Sequence, residues 1–163
     1  MIVYHGSTLV VDRPSASHSN RYLDFGVGFY VTSDKTQAEN WAKRKAVRLN
    51  AAPIVSTYIL SENLTAYKGL VFITEDFKWL DFVAKCRNGD EIYKGYDFIS
   101  GSVANDDVFA TIDLYMRGIW DSDRALSEIR YFKTSHQICL INQKLIDAEL
   151  VFNEFYEVRR HGY

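Results

Sequence analysis

Few cysteines, no long apolar run, no excess of charge of either sign and none of the common catalytic signatures mark this sequence, and each absence removes a class of protein. Cys86 and Cys139 are the two cysteines among 163 residues. With no CxxC and no Cys/His spacing suited to zinc, they are expected to be buried free thiols. No stretch approaches the roughly 18 apolar residues of a membrane span, and the start MIVYHGSTLVVD lacks a basic region followed by an apolar run. A cytoplasmic protein without membrane association is the expectation, and there the sequon Asn63, Leu64, Thr65 carries no meaning. Nineteen basic against 21 acidic residues leave a net charge of −2, so no overall field draws the chain to nucleic acid or anionic lipid. Lys43, Arg44, Lys45 and Arg48 form a local basic run, which the solvated face of a helix explains better than an anion site. HExxH, GxSxG, a P-loop and a DxDxDG loop are all missing. Gly26 and Gly28 do not complete a dinucleotide fingerprint either: its third glycine would fall at Val31, and the strand before and helix directly after are absent.

What is present is ring-rich and apolar. Apolar residues make up 47% and aromatics 15% of the chain, with eleven tyrosines and ten phenylalanines, which argues for a core or cleft built from rings. The length suits one domain over residues 1–163, burying roughly 70% of the unfolded surface. Strands are expected at 2–5, at Phe29–Thr32, at 54–60, at 96–103, at 137–141 and at the end, in ELVFNEFYEV. Ser33 or Asp34 caps a helix with Ala38, Trp41, Ala42, Ala46 and Leu49 on one face, ending near Asn50 and Pro53. Further helices are predicted over 76–87, from Asn105 to Gly118, from Ser122 to about Phe132, and over 143–149. Helices between strands in this order give the α+β class around a mixed sheet.

Four stretches remain as candidate chemistry: YHGS at 4–7, GVGFY at 26–30, Trp41, and SHQICLI at 135–141. Gly6 lacks a Cβ and lets a planar ligand approach its backbone, where a carboxamide can pair with N–H and C=O. A strand-ending turn with an exposed histidine at His5 reads the same residues without a ligand. GVGFY is equally a tight strand entry with Tyr30 in the core.

Taken together, these stretches resemble the ADP-ribosyltransferase superfamily, in its branch of diphtheria-toxin and poly(ADP-ribose) polymerase type, and look closest to a small bacterial group within it. YHGS matches the histidine-glycine of the first strand and GVGFY the glycine-x-glycine-aromatic-tyrosine strand. Trp41 follows Tyr30 by eleven residues, where relatives carry a second ring, and QICLINQKLIDAELVF follows the late strand, short helix and last strand. The resemblance covers both ends of the chain, with 54–130 alike only in general character. It implies a split mixed β-sheet core with flanking helices, and NAD as substrate. His5 would bond the nicotinamide ribose, and Gly6, aided by Ser7, would hold the carboxamide. Gly28 would let the chain pass close to the dinucleotide, and Tyr30 and Trp41 would clamp the nicotinamide ring. Such a clamp gains about 0.5–2 kcal/mol of cation–π attraction. Arg21 and His18 are placed to meet the diphosphate.

Two positions depart from the pattern. A serine expected three residues before the second ring is Ala38, and the third motif residue, usually glutamate, is Gln137. Losing one preorganised electrostatic contact costs roughly 3–4 kcal/mol, which argues against chain extension and for transfer of one ADP-ribose. The resemblance thus implies catalytic roles for His5, Tyr30 and Gln137 in a mono-ADP-ribosyltransferase. It would suit the toxin of a toxin–antitoxin or phage-defence system, with an antitoxin protein as partner. The acceptor is open among protein, nucleic acid and small molecule. A weak or inactive NAD-binding module, an NAD glycohydrolase and a protein-interaction domain are the rivals. Glu128 reads as a surface residue rather than as a carboxylate supplied to the site from a neighbouring loop, and Asp97, Asn105, Asp106 and Asp107 as helix capping or as an acceptor side.

Overall fold

The computed structural model describes residues 1–19 and 21–159. Seven strands and five α-helices follow one another as β1 (Ile2–Ser7), β2 (Phe29–Val31), α1 (Lys35–Leu49), β3 (Ile54–Leu60), β4 (Gly69–Val71), α2 (Phe77–Arg87), β5 (Phe98–Ser102), α3 (Asp106–Met116), α4 (Ser122–Ile129), β6 (His136–Leu140), α5 (Gln143–Glu149) and β7 (Leu150–Glu157). The class is α+β, built on two sheets. β1, β3 and β7 form an antiparallel sheet with β3 in the middle. β2, β6, β5 and β4 form the second, which is mixed because β4 runs parallel to β5.

Alternation along the strands dictates the layers. Val3, Phe29, Val31, Tyr58, Ile138 and Leu140 turn one side chain in two into a core between the sheets. Tyr30 and Cys139 point the other way, into the core that α2, α3 and α4 close with Trp79, Leu80, Val83, Ile112 and Ile129. Ala38 and Ala42 of α1 pack against Val55 of β3. Each long helix starts at the cap its sequence offers: Asp34, Asp76, Asn105 and Asp121 accept the N–H three residues on.

Three expectations need correction. β1 runs on through Gly6 and Ser7, so His5 lies inside the strand and is buried, where a strand-ending exposed histidine was one reading. Leu49 is exposed because the buried face of α1 is Gln37, Ala38, Ala42 and Ala46. The polar cluster is two separate features: Asp97 binds the Lys68 N–H and the Asn142 amide before β5, whereas Asn105 caps α3 beyond the strand's other end. Cys86 and Cys139 are buried and free, Glu128 pairs with Arg124 along α4, and among the described residues no helix is long and apolar enough to cross a membrane.

Candidate functional site

The two sheets meet at one bridge, Tyr4 to Thr32, with N–H···O bonds of 2.8 and 3.0 Å in both directions. Continuing that antiparallel register would set Gly6 opposite Tyr30. The strands part instead, and the Tyr30 carbonyl accepts a 2.7 Å hydrogen bond from Nδ1 of His5. β1 thereby leaves the backbone of Gly6, which faces away from β3 like that of Tyr4, without a strand partner beside a cleft, its carbonyl taken by Lys45. The cleft measures ≈480 Å³, within the ~300–1,000 Å³ typical of ligand sites. A neighbouring lobe of ≈450 Å³ shares its His5, Arg21, Leu23, Tyr30 and Lys45.

His5 is 4% exposed and stacks on Phe29 at 4.6 Å, with His18 edge-on at 5.0 Å. Because Nδ1 donates to a carbonyl, the neutral ring offers Nε2 as an acceptor, and that atom has no partner among the described residues. Burial, reinforced by the charge of Lys45, holds its pKa down to about 3, so the ring is neutral at physiological pH. Lys45 is half-buried and donates from Nζ to the Gly6 carbonyl at 2.9 Å. Burial and the neighbouring Arg48 and Arg21 lower its own pKa. Arg44 and Arg48 are exposed, as a solvated helix face requires, while bordering the cleft and its second lobe, and Lys45 departs from that expectation by being half-buried on Gly6.

Gln137, at 3% exposure, donates from Nε2 to Asp24 Oδ2 at 2.8 Å. Asp24 is buried too. Its Oδ2 also accepts the Ala104 N–H at 2.8 Å, and its Oδ1 takes a forked pair from Nε and Nη2 of Arg87. Arg87 in turn covers the Phe109 ring at 4.1 Å. Gln137, Asp24 and Arg87 all face the cleft. With its nitrogen tied down, the Gln137 amide keeps its oxygen for other partners.

The Tyr30 hydroxyl donates to the Gly26 carbonyl at 2.7 Å and accepts the Phe25 N–H at 3.0 Å. Its ring is fixed at the wall of both lobes, and burial raises the phenol pKa well above its ordinary value. The glycines answer first to packing within the protein. A Cβ on Gly6 would lie 2.1 Å from the Ala38 carbonyl oxygen of α1, one on Gly28 would lie 2.4 Å from Cys139 Sγ, and Gly26 has φ +80° with the Tyr93 ring beside it. Packing against Cys139 is thus one reason for a glycine at 28, which also borders the second lobe.

His5, Gly6, Arg21, Tyr30, Trp41 and Gln137 are brought together around one cleft, and His18 and Gly28 border the second lobe. Ser7 is half-buried on β1 and is not among the lining residues. Asp24, Arg87, Lys45 and Gln37 were not read as site residues. Asp24 heads the glycine stretch and was visible as a carboxylate, but its partners lie 63, 80 and 113 residues away. No curated protein matches this chain significantly. One family model matches residues 1–152, and the chain belongs to that family, described as Protein of unknown function (DUF3990).

Proposed function

We propose that the chain is an NAD-dependent mono-ADP-ribosyltransferase, transferring ADP-ribose from NAD to an acceptor with release of nicotinamide. The observation that carries this reading is His5: a buried imidazole in one fixed tautomer, with an acceptor nitrogen that has no partner among the described residues, beside a Gly6 backbone that pairs with no second strand. A ribose hydroxyl is a donor suited to that nitrogen. The parting of two sheets at His5 and Gly6 is in keeping with the split sheet of the superfamily that the sequence resembles. Tyr30 and Trp41 both border the space where a nicotinamide on Gly6 would lie. The second lobe is lined by Arg21, Lys45 and Arg48 with no carboxylate among its described lining residues, which suits a diphosphate.

In this account His5 and Gly6 orient NAD and the aromatic walls favour the pyridinium. Breaking the glycosidic bond returns the electron pair to the nicotinamide nitrogen and leaves positive charge on the ribose. The Gln137 oxygen offers that charge a dipole in place of a carboxylate. The acceptor's nucleophile then closes the bond and loses its proton. The toxin–antitoxin or phage-defence role is carried by the sequence resemblance alone.

A second reading, an NAD-binding module without turnover, is favoured by one observation. The buried carboxylate of the cleft lining, Asp24, is already engaged by Arg87, Ala104 and Gln137. Incubation with NAD separates the two. Nicotinamide release by the wild type, lost in Tyr30→Ala and Gln137→Ala, supports NAD cleavage, with the ADP-ribose on an acceptor for a transferase and free in solution for a glycohydrolase; NAD binding without release supports the module. Absence of binding refutes both.

A further inference from the structure

Besides His5, Gln37 is the residue whose side chain ends in a buried polar atom with no partner among the described residues: its Nε2 donates to nothing, and the residue is 8% exposed. Its place in the helix makes this unexpected. Gln37 is the third residue of α1 after the cap Asp34, the position from which a glutamine ordinarily reaches back to the cap's own N–H. Here that N–H donates to Thr32 Oγ1 at 3.0 Å, and Thr32 is itself fixed by its bond to the His136 carbonyl at 2.7 Å. The backbone N–H of Gln37 goes to Asp34 Oδ1 at 3.2 Å. Capping is therefore complete without the Gln37 amide, and a buried donor left over is a cost that a ligand removes.

Position defines which part of a ligand it meets. Gln37 stands one helical turn before Trp41 on the same face of α1, and both line the cleft. The Cβ of Trp41 lies 3.0 Å from where a Cβ on Gly6 would be. A group bound beside Gly6 and Trp41 therefore shares the cleft with the Gln37 side chain, which stands one helical turn from Trp41 on α1. We infer that Gln37 Nε2 is a ligand-binding donor for the carboxamide oxygen at the nicotinamide end of the dinucleotide. This rests on the NAD reading above. It gives the cleft two complementary demands, a donor for His5 Nε2 and an acceptor for Gln37 Nε2.

Calorimetric titration of the full chain with NAD and, separately, with ADP-ribose tests it, using wild type, Gln37→Glu and Gln37→Met. Gln37→Glu keeps the shape and puts a carboxylate near a helix N-terminus, where it is favoured; Gln37→Met keeps the volume without a donor. The expected result is an NAD affinity at least about tenfold weaker in both variants, as for one lost hydrogen bond, with ADP-ribose affinity within about twofold of wild type. Unchanged NAD affinity, or equal losses for NAD and ADP-ribose, overturns the assignment. A lowered melting temperature in both variants with NAD affinity kept makes Gln37 a structural residue and overturns it too. A wild type that binds neither ligand refutes the NAD reading and this inference with it, whereas binding by wild type and both variants alike refutes this inference alone.

Discussion

Gln137 Nε2 lies 2.8 Å from Asp24 Oδ2, so the amide at the start of β6 is matched to a carboxylate from the loop before β2. Glutamate at 137 would face that carboxylate at hydrogen-bond distance, and two such groups do not both ionise there without large cost. Gln137→Glu is therefore expected to lower the melting temperature, because it removes the Nε2 donor and sets two acceptors face to face. Adding Asp24→Asn, which restores one carboxylate and one amide, should recover part of that loss. A melting temperature unchanged by Gln137→Glu would contradict the pairing.

His5 links stability to pH. Its folded pKa is about 3 against an ordinary 6.5, so between those values the unfolded chain binds a proton that the folded one refuses. Stability is unaffected by this group above about pH 6.5. It falls on acidification by up to about 1.4 kcal/mol per pH unit, and the fall ends near pH 3. Urea denaturation between pH 7 and pH 4.5 should show a shallower decline for His5→Leu than for wild type. Parallel declines would mean that the ring is not buried neutral.

The Tyr30 hydroxyl is expected to serve the fold while the ring serves the ligand. Tyr30→Phe strips the buried Phe25 N–H of its acceptor, which should cost about 1–3 kcal/mol with NAD affinity largely kept. Tyr30→Ala should lose affinity as well. Denaturant titration and NAD titration of the same two proteins check this, and an unchanged stability of Tyr30→Phe would argue against the hydroxyl's two bonds.

Gly6→Ala should be more damaging than a methyl group on a strand ordinarily is. The added carbon meets backbone of α1, 2.1 Å from the Ala38 oxygen, so helix and strand must separate. A loss of about 1–3 kcal/mol, the usual range for overpacking, is expected by thermal or urea unfolding. Wild-type stability would mean that α1 does not sit against β1 in this way.

Local chemistry made much of this legible. β3 and α5 fall where a β-rich run and a helical run place them, and Asp34 and Asn105 cap as acceptors at the starts expected for their helices. β4 was not foreseen because three residues, Gly69–Val71, carry no period, and their strand state comes from pairing with β5. β1 outruns its reading because Gly6 and Ser7, weak strand formers, are held by Val55 and Ile54. His5, Gly6, Tyr30, Trp41 and Gln137 were named together on a resemblance, and they border one cleft. Asp24 and Arg87 were not, since an ion pair across 63 residues leaves no local trace. Gln37 stayed hidden behind a capping role that Thr32 fills.

The cleft beside His5 is proposed as an NAD site. Calorimetric titration of NAD into the wild type and into His5→Phe, which keeps a ring of similar size without an acceptor nitrogen, tests that proposal. Saturable binding by the wild type, weakened at least about tenfold in a folded His5→Phe, is the predicted result. No heat of binding by the wild type, or equal affinity in both proteins, would contradict it.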